Sequence, residues 1–162
     1  MKPLDRARPG APVTVARIPW TPTPGLPGSV KHGSRAGWVL ASRALGVTEV
    51  LLVHAGRILE ANRSNVFAAR AGALLTPPAD GDCLRGVTRG ALIEAGRAAG
   101  IQIVEAPLDA AGPFDELYLS STLKELAPVV AIDGVEGPGG GPIGARLLAA
   151  FRSLVRREIG AG

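Results

Sequence analysis

Residues 49–76 read EVLLVHAGRILEANRSNVFAARAGALLT, and this stretch decides the fold class. Short apolar runs alternate in it with turn residues, at 54–57 and again at Ala71-Gly72, which is typical of strands joined as hairpins. The predicted strands cover Glu49–Val53, Ile58–Glu60, Asn65–Ala69 and Ala73–Thr76. Gaps this short cannot contain the crossover that joins two parallel neighbours. The stretch therefore predicts an antiparallel or mixed sheet, curled into a barrel-like form.

The rest of the chain adds helices and further strands, so the fold class is α/β (α+β). Apolar spacing predicts helices over Trp38–Leu45, Thr88–Ala99 and Ile143–Ile159. Further strands are predicted over Pro12–Ile18, Ile101–Glu105, Glu116–Ser120 and Pro128–Ile132. Prolines between Trp20 and Gly28 are too dense for a helix interior. We therefore predict an N-terminal tail with a Pro-rich linker over residues 1–29 and a folded domain over residues 30–160.

Composition limits the classes of function. The chain has 162 residues, of which 46% are hydrophobic, enough for one domain with a core. The net charge is +4, but the arginines are dispersed and aromatic residues make up only 4%, so no specific nucleic-acid partner is predicted. The single cysteine, Cys83, excludes an intramolecular disulfide and a multi-cysteine metal site. No signal peptide or membrane-spanning run is visible, and we predict a cytoplasmic protein without a membrane partner.

Two stretches carry side chains suited to covalent and acid–base chemistry. Lys31 lies in SVKHGSR (residues 29–35), and a lysine in a partly buried pocket can form an imine with an aldehyde. An isolated lysine is more often an ordinary surface residue. Glu60 ends one predicted strand and Asn65 begins the next. A carboxylate at this position can pair with a cationic ring nitrogen, although a polar turn between strands is the alternative.

Two further stretches can bind an anion. The segment Gly86-Val87-Thr88 precedes the clearest predicted helix, where backbone N–H groups attract negative charge and a glycine permits close approach. The alternative is that Thr88 simply caps the helix. The Ser-Ser-Thr cluster at Ser120, Ser121 and Thr122 lies at the end of a predicted strand and could add hydroxyl and N–H donors to the same anion. Their alternative is a hydroxyl-rich turn.

In this order and at these spacings the motifs resemble the class IV (fold type IV) aminotransferases. The family includes branched-chain and D-amino-acid aminotransferases and aminodeoxychorismate lyase. The motifs are LEANRSNVF (59–67), LLTPPADGDCLRGVTR (74–89) and LYLSSTLKELAPVVAIDG (117–134). The resemblance runs from about Val30 to about Phe151. It implies, over residues 30–160, the large cofactor-binding domain of the D-amino-acid aminotransferase-like fold, a mixed barrel-like sheet with flanking helices, without the small N-terminal domain.

The resemblance also implies a cofactor, pyridoxal 5'-phosphate, and a role for each matching residue. Lys31 corresponds to the lysine that forms the aldimine and moves the substrate proton. Glu60 corresponds to the acid that pairs with the pyridine nitrogen, and Asn65 to a residue that supports this strand and the site. The residues implied in phosphate binding are Gly86, Val87, Thr88, Ser121 and Thr122. No metal site is predicted.

The activity implied is transfer of an amino group between an amino acid and a 2-oxo acid, in a homodimer. One alternative is aminodeoxychorismate lyase, which eliminates pyruvate to give 4-aminobenzoate. Lys31-His32 with Arg35 is closer to some of these lyases, and Ala36 stands where branched-chain enzymes carry tyrosine. The other alternative is a truncated, non-catalytic cofactor-binding domain. It arises because only about thirty residues precede Lys31, where family members carry a smaller domain.

Overall fold

A computed structural model describes residues 8–21, 25, 28–31, 33 and 35–160. Three helices lie within these residues: α1 (Ala36–Ala44), α2 (Val87–Ala98) and α3 (Pro142–Gly160). The strands are β1 (Val13–Pro19), β2 (Glu49–His54), β3 (Arg57–Ala61), β4 (Asn65–Arg70), β5 (Ala73–Thr76), β6 (Ile103–Glu105), β7 (Leu108–Asp109), β8 (Glu116–Ser121), β9 (Glu125–Ile132) and β10 (Val135–Glu136). The predicted Pro-rich linker falls largely outside the described residues, as do the tail at 1–7 and His32 in the lysine motif.

The described strands form one mixed sheet in the order β6-β5-β4-β8-β9-β1-β2-β3-β7, with β10 paired to β9. Both predicted hairpins are present, because β2 pairs antiparallel with β3 and β4 with β5. Their two-residue turns have positive φ at both positions, 47° and 76° at Ala55-Gly56 and 50° and 81° at Ala71-Gly72. Such turns match the right-handed twist of paired strands, so the local sequence sets the register beside each turn. Farther from its turn, the β2–β3 pair shifts register between Leu52 and Val53.

Strand β1 lies in the middle of the sheet, between β9 and β2, and is parallel to both. The connection from β1 to β2 spans residues 20–48 and contains α1, so it is long enough for a crossover. The division into a tail over 1–29 and a domain over 30–160 stays a prediction. Residues 13–19 nevertheless pair with strands on the other side of that boundary.

The sheet separates two apolar clusters, and alternate residues of a strand enter different ones. Val66 and Ala68 of β4 join the cluster inside the curl, whereas Phe67 and Ala69 join the cluster under the helices. The inner cluster draws on β1, β2, β3, β4, β7, β8 and β9. The helix-side cluster packs β4, β5, β6, β8 and β9 against α2 and α3. The two-residue period of a strand thus gives the sheet two buried faces.

The helices and strands agree with the predictions except at a few ends. The suggestion that Thr88 caps α2 is wrong: the N-cap is Gly86, in extended backbone, and Thr88 lies inside the first turn. The hydroxyl of Thr88 is therefore directed to other partners. The short strands β7 and β10 were not predicted, because two residues are too few to show a hydrophobic period.

Candidate active site

All eight residues singled out in the sequence line one pocket, with a volume of about 210 Å³. The pocket lies where β3 and β8 end and β4 begins, beside the first turn of α2. Its lining includes Lys31, Glu60, Asn65, Gly86, Val87, Thr88, Ser121 and Thr122. Two further lining residues belong to motifs noted in the sequence, Arg35 beside Lys31 and Ser120 in the Ser-Ser-Thr cluster. The lining residues that sequence reasoning did not select are Ala61, Arg63, Ser64, Leu84 and Arg85. The structure thus brings together segments that are far apart in the chain.

The peptide groups of Leu84 tie the loop before α2 to two strands. The N–H of Leu84 donates to Oε2 of Glu60 at 3.1 Å, and the carbonyl of Leu84 accepts from Nδ2 of Asn65 at 2.8 Å. Glu60 is in β3 and Asn65 begins β4. These two hydrogen bonds fix the position of the Glu60 carboxylate relative to the start of α2. One bond requires the side chain of Glu60 and the other that of Asn65.

Gly86 is required by close packing at the start of α2. A Cβ atom on Gly86 would lie 2.1 Å from Oδ1 of Asn65 and 3.3 Å from its Cγ. Asn65 cannot turn away without losing its bond to the Leu84 carbonyl. A side chain at position 86 would thus displace either Asn65 or the first turn of the helix.

The first turn of α2 and the turn after β8 face one another through hydroxyl groups. Oγ1 of Thr88 lies 3.4 Å from Oγ1 of Thr122. Exposed N–H groups at a helix start carry partial positive charge. Four basic side chains and one carboxylate line the described pocket, the bases being Lys31, Arg35, Arg63 and Arg85. This set of donors and cations suits an anionic ligand.

The segment that carries Lys31 is docked on the loop before α2. The N–H of Ser29 donates to the carbonyl of Gly81 at 3.2 Å. Gly28 lies so close to Asp82 that a Cβ atom at position 28 would be 2.3 Å from the Asp82 carbonyl oxygen. Lys31 follows as an exposed residue at the pocket. Contact between two backbones therefore brings its amine to the pocket.

Burial raises the pKa of Glu60 to about 7, from an ordinary value of 4.5. Loss of water around the carboxyl is the largest cause, and the charge of Glu49 adds to it. The hydrogen bond from Leu84 and the charge of Arg35 act in the opposite direction. Glu60 is consequently close to half protonated at neutral pH, and a cation beside it would favour the carboxylate.

We expect Glu60→Gln to remove a pH-dependent loss of stability. The pKa of Glu60 is higher in the folded than in the unfolded chain. Its contribution to the free energy of unfolding is therefore greatest below pH 4.5 and is lost as the pH rises through 7. Glutamine stays neutral and can still accept the Leu84 N–H. The variant should gain up to about 3 kcal/mol relative to wild type between pH 4.5 and 8. Urea unfolding at several pH values measures this, and a difference independent of pH would contradict it.

A buried ion pair behind the pocket was not found from the sequence. Nζ of Lys124 contacts Oε1 of Glu49, with side-chain exposures of 8% and 0%. Glu49 also accepts the Ser64 hydroxyl at 2.8 Å and the Arg63 N–H at 3.0 Å. Lys124 follows the Ser121-Thr122 turn, so the ion pair joins the turn after β8 to Glu49 in β2. The two hydrogen bonds then join Glu49 to the turn between β3 and β4. Both turns line the pocket.

Comparison with known proteins agrees with this arrangement. The family model described as amino-transferase class IV matches residues 2–132. The chain belongs to the class IV aminotransferase family. It is 35% identical to the branched-chain-amino-acid aminotransferase of Escherichia coli K12 over 107 residues, 64% of this chain and 35% of that enzyme. It is 35% identical to the D-alanine aminotransferase of Listeria monocytogenes over 116 residues, 69% and 40% of the two chains.

The fold likeness extends further along the chain. The branched-chain amino acid aminotransferase from Thermobaculum terrenum, solved in its PLP form, superposes with a TM-score of 0.79. Identity is 26%, and the match covers 88% of this chain and 50% of that one. The likeness confirms the predicted fold, a mixed and curled sheet with few helices. The chain spans only about half or less of the length of these relatives.

Membrane-spanning helices and metal-binding clusters are both absent from the described residues. No helix in residues 36–160 is long and apolar enough to cross a bilayer. No group of three or more potential metal-ligating histidine, cysteine, aspartate or glutamate side chains occurs within the part of the chain that the structure describes.

Proposed function

We propose that this chain forms the pyridoxal-phosphate-binding part of a class IV aminotransferase that exchanges amino groups between an amino acid and a 2-oxo acid. The observation that supports this most is one pocket lined by Lys31, Glu60 and two anion-binding elements. Family membership supports the reaction class, and relatives named branched-chain and D-alanine aminotransferases support amino acids as substrates. A homodimer and a cytoplasmic location belong to the same proposal.

The donor set fits pyridoxal phosphate, the cofactor of this family. An amine, a buried carboxyl and an anion cradle correspond to its aldehyde, its ring nitrogen and its phosphate. When bound, the cofactor supplies an aldehyde that condenses with amines and a cationic ring that withdraws electrons from the substrate Cα.

Each of the site residues has a separate role in this proposal. Lys31 would hold the cofactor through its ε-amine, and the free amine would carry a proton to and from the substrate Cα. Glu60 would hold the ring nitrogen of the cofactor, and a positive charge beside the carboxyl would favour its ionised form. The first turn of α2 and the Ser121-Thr122 turn bind the phosphate through N–H and hydroxyl donors. Arg35 fixes the turn beside Glu60 by donating to the carbonyl of Asn62.

Reductive trapping tests the proposal. We would add pyridoxal phosphate to the purified chain, reduce with borohydride, and locate the added mass by peptide mapping. Lys31 should carry it, while Lys2 and Lys124 should not. Label spread over several lysines, or none at all, would contradict the assignment.

Turnover then separates the remaining activities. Incubation with an amino acid and a 2-oxo acid should yield the exchanged pair of products. Release of pyruvate and 4-aminobenzoate from aminodeoxychorismate would establish the lyase instead. Trapping at Lys31 without either product would identify a cofactor-binding domain that needs further chain for catalysis.

We expect Gly28→Ala to weaken attachment of the cofactor without unfolding the protein. The new methyl group would meet the backbone of Asp82, which cannot rotate aside. Such overpacking costs about 1–3 kcal/mol, so the apparent affinity for pyridoxal phosphate should fall roughly 10- to 100-fold. Gly33→Ala is the matched control, since a Cβ atom there meets nothing within 4 Å. Equal affinities for the two variants in the trapping assay would contradict the docking of this segment.

A further inference from the structure

Ser120 has a buried hydroxyl without a hydrogen-bond partner. Its relative exposure is 1%, and no acceptor or donor among the described residues reaches its Oγ. Two other buried polar atoms in the described chain share this state, Nδ2 of Asn62 and Nε of Arg89. Of the three residues only Ser120 lines the pocket. An unpaired buried hydroxyl is costly, so its place at a pocket wall requires an explanation.

The strand register shows which way this hydroxyl is directed. In β8, Leu117 and Leu119 enter the inner cluster and Tyr118 enters the helix-side cluster. Alternation therefore places Ser120 on the helix side. Ser120 pairs directly with Asn65 of β4, whose side chain packs against Gly86 at the start of α2. The hydroxyl thus lies beneath the helix start, on the face that Asn65 shares.

Chemistry at this position favours an anionic oxygen as the missing partner. The helix start contributes partial positive charge, and basic side chains surround the pocket. A serine hydroxyl can donate to an anion, and bonds that include a charged group are the stronger ones. Ser121 and Thr122, which follow in the chain, line the same pocket. The Ser120 hydroxyl would add a further donor, on the helix side of the sheet, to those of Thr88, Ser121 and Thr122.

We propose that Ser120 donates a hydrogen bond to the anion bound at the start of α2, as a further ligand of the cofactor phosphate. This inference rests on the proposed function. In this inference, the unpaired hydroxyl of Ser120 contributes to ligand binding and does not stabilise the fold. Removing the hydroxyl should therefore leave the ligand-free protein unchanged or more stable, and should weaken phosphate binding.

The test compares Ser120→Ala with wild type in three measurements. Thermal unfolding without ligand should show an equal or higher midpoint in the variant. Affinities for inorganic phosphate and for pyridoxal phosphate, from calorimetry, should both fall about 10- to 100-fold. Affinity for pyridoxal, which lacks the phosphate, should stay within about twofold of wild type because the ring end is untouched.

Ser42→Ala is the matched control. Ser42 is also buried, but its hydroxyl donates to the carbonyl of Val39 at 3.0 Å, away from the pocket. Its replacement should leave the affinities for phosphate and for pyridoxal phosphate unchanged, unlike the replacement of Ser120. The conservative Ser120→Thr variant keeps a hydroxyl and should retain more phosphate affinity than Ser120→Ala.

The outcomes separate this inference from the proposed function. Wild-type affinity for pyridoxal phosphate with no loss in Ser120→Ala would overturn the role of Ser120 alone. An equal loss of affinity for pyridoxal would show that the hydroxyl acts at the ring end of the cofactor. A lowered unfolding midpoint in Ser120→Ala would show that the hydroxyl stabilises the fold. Either result would also reject Ser120 as a ligand of the phosphate. If wild type binds neither phosphate nor pyridoxal phosphate, the proposed function fails and the inference fails with it.

Discussion

Lys31→Ala is expected to abolish covalent attachment of pyridoxal phosphate and to slow the exchange of amino groups by roughly 10²–10⁴-fold or more. The variant loses both the amine that bonds to the aldehyde and the base that moves the substrate proton. Single-turnover reaction with an amino donor, followed by product analysis, measures the loss.

Lys31→Arg is the matched variant, because it keeps the positive charge but cannot bond to an aldehyde. It should still bind inorganic phosphate with near wild-type affinity, while reductive trapping gives no label. Lys31 is exposed, so neither substitution should change the unfolding midpoint by much. Trapping in Lys31→Ala at the wild-type level, on another lysine, would show that Lys31 is not the anchor.

Lys124→Met is expected to lower the free energy of unfolding by about 3–5 kcal/mol. The variant removes the cation that faces Glu49, whose side chain is completely buried. The two hydrogen bonds from Ser64 and Arg63 remain, but they do not neutralise the charge. Urea unfolding followed by tryptophan fluorescence measures the loss.

Two controls identify burial as the cause. The double variant Lys124→Met/Glu49→Gln removes both charges and keeps an acceptor for Ser64 and Arg63, so it should recover most of the stability. Arg152→Met breaks an ion pair with Glu125 whose side chains are 44% and 25% exposed, and should cost below about 1 kcal/mol. A similarly small effect for Lys124→Met would show that its pair with Glu49 is no more important than a surface pair.

Local patterns were sufficient to predict the hairpins, whereas eight of the residues that line the pocket were selected through a family resemblance. The turns at Ala55-Gly56 and Ala71-Gly72 fix their own register, because the two-residue loop and its flanking strands are contiguous in sequence. Lys31, Glu60 and Thr88 could be selected because their motifs resemble a family in which those segments converge. The residues alone left each of them with an ordinary structural alternative.

Contacts between distant segments could not be predicted in the same way. Nothing near Glu49 indicates that its partner is Lys124, because the pairing depends on how β2 and the turn after β8 meet in the curled sheet. In the sequence, Ser120 is one of three consecutive hydroxyl residues. Only the strand register shows that its side chain lies on the helix side of the sheet. The alternation of Leu117, Tyr118 and Leu119 was visible in the sequence, but not which face the helix covers.

The central place of β1 bears on how the protein can be divided. Its two neighbours, β9 and β2, hydrogen-bond to it along both edges. A fragment starting after the Pro-rich segment would not lose a peripheral arm. It would open the sheet in its middle and leave two rows of N–H and C=O groups unpaired, which invites association with other chains. Strand β1 therefore joins the two halves of the sheet, although it precedes every residue proposed to bind the cofactor.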